Sequence, residues 1–288
     1  YEEIAAGVTV EKNLTYPSKW DSNSFDLYYP KDCTGGLPTV VWVHGGSFVS
    51  GVKEGVSNVA TMIAAGGYSV VAMDYAVAPE AKHPAAIIQI QELCSYLQQK
   101  QHPQADMERL FLAGDSAGAQ LASEYAAVQT NAELAGDMGL EQILPKESLK
   151  GIILCCGPYN LVQIRKVKNR LIRFGVWLLG RAYFPERPWH KKAGSAQSIT
   201  ASHVTRHYPA AYITDGNTAS FEVQGRYLGE VLRKNSVPVT ERYFDEETEG
   251  KVYHEYMFQL ADANAQLCLT DILGFMKERL VLPETIEQ

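Results

Sequence analysis

The chain has 288 residues, of which 46% are hydrophobic and 20% charged, an ordinary balance for a globular protein. This length allows one large α/β domain or two smaller ones. The 26 basic and 33 acidic residues give a net charge of −7, with no basic tail, so the charge pattern does not favour nucleic-acid binding. No run of about eighteen apolar residues occurs, so the sequence predicts no membrane-spanning helix.

The cysteines predict neither a disulfide framework nor a zinc site, because their number is odd and their spacing irregular. They are Cys33, Cys94, Cys155, Cys156 and Cys268. A reducing, cytoplasmic location is the default expectation. The chain begins at Tyr1 rather than at Met, so a signal or membrane anchor upstream of it stays open.

Apolar segments predict the fold class. Alternating apolar residues in 8–16 and 25–29 predict an antiparallel strand pair. Short, almost wholly apolar runs then predict strands buried on both faces, at 39–43, 69–73, 110–113, 151–155 and 211–214. Helical patterns lie between them at 56–65, 85–99 and 117–129. This alternation predicts a single α/β domain over 1–288, with a mostly parallel central sheet and helices on both faces.

Residues 159–207 interrupt the alternation and predict a helical cap inserted over the carboxyl edge of the sheet. Apolar residues fall near one helical face, which we expect to pack on that edge: Ile164, Val167, Leu171, Phe174 and Leu178. Six basic residues and no acidic one lie within 164–181, at Arg165, Lys166, Lys168, Arg170, Arg173 and Arg181. Contact with an anionic membrane surface or steering of acidic substrates are the open alternatives.

A Gly-Asp-Ser-Ala-Gly segment at 114–118 follows one predicted strand and precedes a predicted helix. Strand, sharp turn and helix are the context required of a G-x-S-x-G nucleophile elbow. The flanking glycines let backbone and helix approach without Cβ clashes. This context predicts Ser116 as a nucleophile, and the alternative is a Gly/Ser turn that begins a helix.

A serine hydroxyl needs an adjacent base, and in this arrangement the partners follow in the order serine, acid, histidine. Asp215 ends a predicted strand and is followed by a turn, so it is the candidate acid, with Asp245 as its rival. Only His254 follows Asp215, which makes it the candidate base. The other histidines come earlier in the chain: His44, His83, His102, His190, His203 and His207.

The segment His44-Gly45-Gly46 follows the predicted strand at 39–43. Two glycines at that place can turn backbone N–H groups toward the elbow. Together with the N–H of Ala117, those of Gly45 and Gly46 are predicted to form an oxyanion hole. A plain glycine turn is the alternative.

These motifs together resemble the hormone-sensitive-lipase-like esterases. That family has His-Gly-Gly, a "DYRLAPE" segment followed by proline and paired alanines, and Gly-Asp-Ser-Ala-Gly, in this order. Here the middle segment, 74–80, reads Asp-Tyr-Ala-Val-Ala-Pro-Glu and continues to His-Pro-Ala-Ala at 83–86. The resemblance implies an α/β-hydrolase fold, a cap over the site and hydrolysis of carboxylic esters, with Ser116, Asp215 and His254 as the triad.

The chain departs from the family pattern at several positions. Ser47 stands where a third glycine often occurs, and Ala119 replaces a frequent glycine. Gly216-Asn217 follows the acid in place of Pro-Leu, and Glu255-Tyr256 follows the histidine in place of Gly-Phe. The family's N-terminal cap helices are not expected, because residues 1–30 are predicted as strands. These departures indicate an outlying member.

We therefore expect a serine hydrolase that cleaves small carboxylic esters, with short-chain acyl or aryl groups, through an acyl-enzyme on Ser116. The mechanism requires no metal or organic cofactor. Two alternatives stay open: a peptidase or amidase that uses the same triad, and a relative that binds a ligand without catalysis. The sequence does not determine the oligomeric state.

Overall fold

The structure is a computed structural model that describes residues 1–164 and 170–281. Four residues assigned above to the cap, Arg165, Lys166, Val167 and Lys168, lie outside the described residues. No helix in the two described ranges is long and apolar enough to cross a membrane.

Eight strands form one sheet in the order β1-β2-β4-β3-β5-β6-β7-β8. Their bounds are β1 (Val8–Thr15), β2 (Ser24–Pro30), β3 (Leu37–Val43), β4 (Ser69–Met73), β5 (Ala105–Asp115), β6 (Leu149–Cys155), β7 (Ala211–Thr214) and β8 (Val239–Arg242). The pairs β1–β2 and β2–β4 are antiparallel, and the other neighbouring pairs are parallel. The predicted antiparallel pair and mostly parallel sheet are confirmed.

The strand interiors are apolar on both faces because the sheet lies between two cores. In β3, Val41 and Val43 belong to one core, whereas Val40 and Trp42 belong to the other. This division follows from the alternation of side chains along a strand. A strand covered on both faces reads as a continuous apolar run, which explains why the sequence locates the central strands well.

Helices cover both faces of this sheet, as predicted. Within the described ranges they are α1 (Glu2–Ala5), α2 (Ser57–Ala65), α3 (Ala85–Leu97), α4 (Ala117–Thr130), α5 (Ala132–Met138), α6 (Leu161–Ile164), α7 (Arg170–Tyr183), α8 (Ala193–Gln197), α9 (Glu222–Lys234), α10 (Glu246–Glu249) and α11 (Ala263–Val281). Residues of α2 and α11 pack in the core that contains Trp42. Residues of α3, α4 and α9 pack in the core that contains Val41, on the other face of the sheet.

Helices α6, α7 and α8 lie in the segment between β6 and β7. The C-terminal part of α7 packs on the body of the protein, where the ring of Tyr183 stacks on Phe48 at a centroid separation of 4.3 Å. The subdivision into a domain over 1–288 with a cap at 159–207 stays a prediction.

The expected packing of the apolar α7 face is wrong. Leu171, Phe174 and Leu178 are 81%, 58% and 47% exposed. The packed side of α7 is instead the side of Gly180 and Tyr183, because Gly180 lies directly against the ring of Trp189 and leaves no room for a larger residue. Helical spacing identified an apolar face but not the direction in which it points.

Candidate active site

Ser116 lies on a sharp turn between the end of β5 and the start of α4. Its backbone has φ 47° and ψ −118°, a strained conformation for a residue with a Cβ atom. Gly118 makes the turn possible, since a Cβ there would collide with the backbone of Val43 and lie 2.5 Å from the carbonyl oxygen of His44. The turn therefore holds the serine at the carboxyl edge of the sheet, where sites in parallel sheets are found.

The three candidate residues lie next to one another, with the imidazole of His254 between Ser116 and Asp215. His254 Nε2 lies 3.1 Å from Ser116 Oγ, and His254 Nδ1 lies 3.5 Å from Asp215 Oδ1. The N–H groups of Gly216 and Phe221 donate to the two oxygens of Asp215, at 2.8 and 2.7 Å. A serine, an imidazole and a carboxylate in this order have the geometry needed to move a proton off the hydroxyl, while their catalytic roles stay predictions.

The loop that carries His254 is fixed by main-chain contacts. The N–H of His254 donates to the carbonyl of Thr218 at 3.1 Å, and Thr218 forms an isolated β-bridge with Tyr253. Burial by itself lowers the pKa of His254. The nearby carboxylate of Asp215, together with the charges of Glu255 and Asp115, outweighs burial and raises this pKa above its ordinary value.

The segment after β3 requires a correction. The N–H of Gly45 donates to Asp115 Oδ2 at 2.8 Å, so this donor is occupied and the structure does not support Gly45 in the oxyanion hole. Gly46 has φ +118°, and its N–H has no hydrogen bond within the described residues. Ala117 is the first residue of α4, so helical geometry provides no acceptor for its N–H. Gly46 and Ala117 remain the predicted donors.

Asp115 is a site residue that the sequence analysis overlooked. Trp42 Nε1 donates to Asp115 Oδ1 at 2.8 Å, across 73 residues of chain, and Gly45 donates to the other oxygen. Burial, assisted by the charge of Glu255, raises the pKa of Asp115 to about 7. The sequence did contain a signal, because a carboxylate that follows the apolar run 110–113 at the end of β5 needs internal partners.

Cys156, Glu255 and Phe221 were also overlooked. The N–H of Glu255 donates to Cys156 Sγ at 3.3 Å, and burial raises the pKa of this thiol well above its ordinary value. Among the described residues, one group of side chains is of types that can bind a metal ion: atoms of Cys156, Asp215 and His254 lie within 4.8 Å of one another. Hydrogen bonds to Gly216, Phe221, Glu255 and Ser116 already engage these side chains. That the reaction needs no metal stays a prediction.

The rival residues lie elsewhere or serve other contacts. Asp245 caps α10 by accepting from the N–H groups of Glu247 and Thr248. His83 is buried, with Nε2 2.5 Å from Glu124 Oε1. His203 Nε2 lies 3.1 Å from the carbonyl oxygen of Ala196. The rivals thus lie away from the Ser116 hydroxyl, and the roles of His254 and Asp215 as base and acid stay predictions.

A mostly parallel eight-stranded sheet with a serine on a sharp strand-to-helix turn, an acid after β7 and a histidine after β8 defines an α/β-hydrolase. Residues 25–227, more than half of the chain, match the BD-FAE family model. The chain therefore belongs to the BD-FAE family. The matched segment includes Ser116 and Asp215 and ends before His254.

Individual proteins are similar along nearly the whole chain. An acetyl esterase of Salmonella choleraesuis is 24% identical over 94% of this chain and 81% of its own length. The crystal structure of inhibited esterase B from Lactobacillus rhamnosis has a TM-score of 0.78 at 21% identity, covering 95% of this chain and 88% of the other. An esterase of Pyrobaculum calidifontis has a TM-score of 0.75 at 22% identity, covering 98% and 90%. These likenesses confirm the α/β-hydrolase fold implied by the resemblance to hormone-sensitive-lipase-like esterases.

Proposed function

We propose that the chain is a carboxylic ester hydrolase that forms an acyl-enzyme on Ser116. The observation that carries this proposal is the 3.1 Å separation between Ser116 Oγ and His254 Nε2, with Asp215 behind the imidazole. The family and the esterases named above support the same reaction class. Small esters with short acyl or aryl groups are the proposed substrates, and the similar acetyl esterase supports a short acyl group.

Acylation begins when His254 Nε2 accepts the proton of Ser116 and the Oγ atom attacks the ester carbonyl carbon. The bond to the carbonyl oxygen becomes single, and the negative charge on that oxygen is stabilised by the N–H groups of Gly46 and Ala117. Each such donor contributes roughly 100- to 1000-fold in rate. His254 then gives the proton to the departing alkoxide, which leaves as the alcohol.

Deacylation repeats these steps with water as the nucleophile. His254 accepts a proton from water, the hydroxide attacks the acyl carbon, and Ser116 leaves with the proton returned by His254. Asp215 stabilises the imidazolium that forms in both halves. Its carboxylate can do so without turning, because the N–H groups of Gly216 and Phe221 hold both of its oxygens.

Covalent labelling tests the nucleophile directly. A fluorophosphonate probe is expected to label the native chain once, at Ser116, as located by peptide mass spectrometry, and to leave Ser116→Ala unlabelled. The variant is expected to lose ester hydrolysis by a factor on the order of a million while its thermal unfolding is retained. Labelling at another residue, or more than a few per cent residual activity in the variant, would contradict the proposal.

A substrate panel separates the remaining alternatives. Aryl esters of increasing acyl length are compared with the anilide that matches the best ester. We expect the acetyl or butyryl ester to give the highest kcat/KM and the anilide to be poor. A preferred anilide would indicate an amidase, and a chain that binds these esters without turnover would indicate a ligand-binding protein.

A further inference from the structure

The backbone of Glu255 has a conformation that is unfavourable for residues other than glycine. Its φ of 59° and ψ of 28° lie in the left-handed region, where a Cβ atom is costly and glycine is favoured. Strained residues cluster at functional sites, so the strain at Glu255 suggests that its side chain has a role there.

The side chain of Glu255 points back into the site. Its Oε1 lies 4.0 Å from His254 Nε2, the nitrogen that faces Ser116. An ideal Cβ built on Gly45 would lie 2.9 Å from this same Oε1 and would collide with Asp115 Oδ2. The two carboxyl groups therefore approach the same point beside Gly45, and the neighbouring Glu255 contributes to raising the pKa of Asp115.

Two carboxyl groups form a hydrogen bond only if one of them holds a proton, since two carboxylates repel each other and offer no donor. Asp115 is almost completely buried, whereas Glu255 is partly exposed and connects the pair to solvent. Each oxygen of Asp115 also accepts one hydrogen bond, Oδ1 from Trp42 Nε1 and Oδ2 from the N–H of Gly45. The two carboxyl groups beside Gly45 can therefore hold one proton between them.

The other titratable groups facing this pair are few within the described residues. They are His254 on the loop after β8, Tyr75 on the loop after β4, and Cys155 and Cys156 at the end of β6. Burial raises the pKa of Tyr75 and Cys156 well above the ordinary values, so they stay neutral through the range in which His254 titrates. Next to His254 Nε2 and the oxyanion donors, the charge of the Asp115–Glu255 pair is therefore the one that changes with pH.

We propose that Glu255 and Asp115 share one proton, and that activity requires this proton because its loss places a second negative charge beside the developing oxyanion. The inference rests on the proposed function. In this proposal both carboxyl groups are positioning residues that act through the field they impose on His254 and on the N–H groups of Gly46 and Ala117. The expected consequence is a bell-shaped pH profile, with the acidic limb due to His254 and the alkaline limb due to the shared proton.

The test compares kcat/KM for a neutral aryl acetate from pH 5 to 9.5 in the native chain, Glu255→Gln and Glu255→Gly. The amide of Gln keeps a donor toward Asp115 and removes the ionisation, while Gly suits the left-handed backbone. Both variants are expected to lose the alkaline limb and to exceed the native rate by roughly tenfold or more at pH 9. Thermal unfolding checks that each variant is folded.

Infrared spectroscopy observes the proton itself. At pH 6 the difference spectrum of native chain minus Glu255→Gln is expected to contain a protonated-carboxyl C=O band. Absence of this band, or an alkaline limb that persists in both variants, would overturn the inference. Fluorophosphonate labelling of the same samples separates the two proposals: an unlabelled Ser116 contradicts the proposed function, whereas a labelled Ser116 with an unchanged limb contradicts the shared proton alone.

Discussion

The imidazole of His254 stands edge to face with the ring of Phe221, at a centroid separation of 5.3 Å and an interplanar angle of 87°. The backbone N–H of the same Phe221 donates to Asp215 Oδ2 at 2.7 Å. One residue thus contacts the histidine through its ring and the acid through its main chain. Because the second contact is made by the backbone, substitution of the side chain isolates the first.

Phe221→Ala removes the ring and keeps the hydrogen bond to Asp215. An edge-to-face pair contributes about 0.5–1.5 kcal/mol, so a looser imidazole is expected to lower kcat/KM by roughly 2- to 10-fold. Steady-state kinetics check this, with Phe221→Tyr as the control that keeps the ring. A loss of activity as large as that of Ser116→Ala would mean that the loop itself had rearranged.

His254→Ala is expected to lose nearly as much activity as Ser116→Ala, because no other described histidine lies within hydrogen-bond distance of the serine hydroxyl. His203→Ala removes a half-buried imidazole and His207→Ala an exposed one, and both variants are expected to retain most of the activity. The three purified variants are compared on one aryl ester. An essential His203 with a dispensable His254 would contradict the chain order on which the triad rests.

Asp215→Asn and Asp245→Asn form a matched pair, since both remove one carboxylate charge. The first leaves the imidazole without its anionic partner and is expected to reduce kcat by a factor on the order of ten thousand. The second keeps an oxygen that can cap α10 and is expected to change activity little. Similar losses in the two variants would show that Asp215 is not special as the acid.

The acidic side of the pH profile reports His254. Its base form must be neutral, and the partners that raise its pKa hold the proton to higher pH. The rate is therefore expected to increase with pH and to reach half its limit above about pH 6.5, the ordinary histidine value. Values of kcat/KM measured in buffers of constant ionic strength test this. A rate that is flat on the acidic side would exclude a titrating histidine as the base.

The exposed face of α7 bears on the alternative that this segment contacts a membrane surface. Leu171 and Phe174 present apolar groups to solvent beside Arg170 and Arg173, a combination that suits an anionic lipid surface. Each basic residue contributes about 1 kcal/mol there, so Arg170→Gln with Arg173→Gln is expected to weaken binding roughly 30-fold. Flotation with phosphatidylserine-containing vesicles measures this.

The matched control for that pair is Arg226→Gln with Arg233→Gln on α9, which removes the same charge from another helix. Binding by the native chain is also expected to weaken as salt increases, because the attraction is screened. If the native chain does not bind the anionic vesicles, α7 has no role at lipid surfaces.

The sheet and the candidate triad could be predicted from the sequence alone. β4 and β7 were predicted at 69–73 and 211–214, the bounds that they have, because a strand buried on both faces is a short apolar run between turn residues. Ser116 was identified from its strand, turn and helix, and His254 from its place after Asp215. All of these signals lie within a few residues of one another or in the order of the chain.

The contacts that individual backbone groups and side chains make could not be predicted from the sequence, because they depend on the folded arrangement. The N–H of Gly45 is predicted to point to the oxyanion, yet it donates to Oδ2 of Asp115, 70 residues further along the chain. The apolar face of α7 was predicted to pack, yet it points to solvent because Gly180 lets Trp189 approach the opposite side. Periodicity shows which residues share a face, but the partner of that face depends on elements far away in the chain, and only the folded arrangement specifies it.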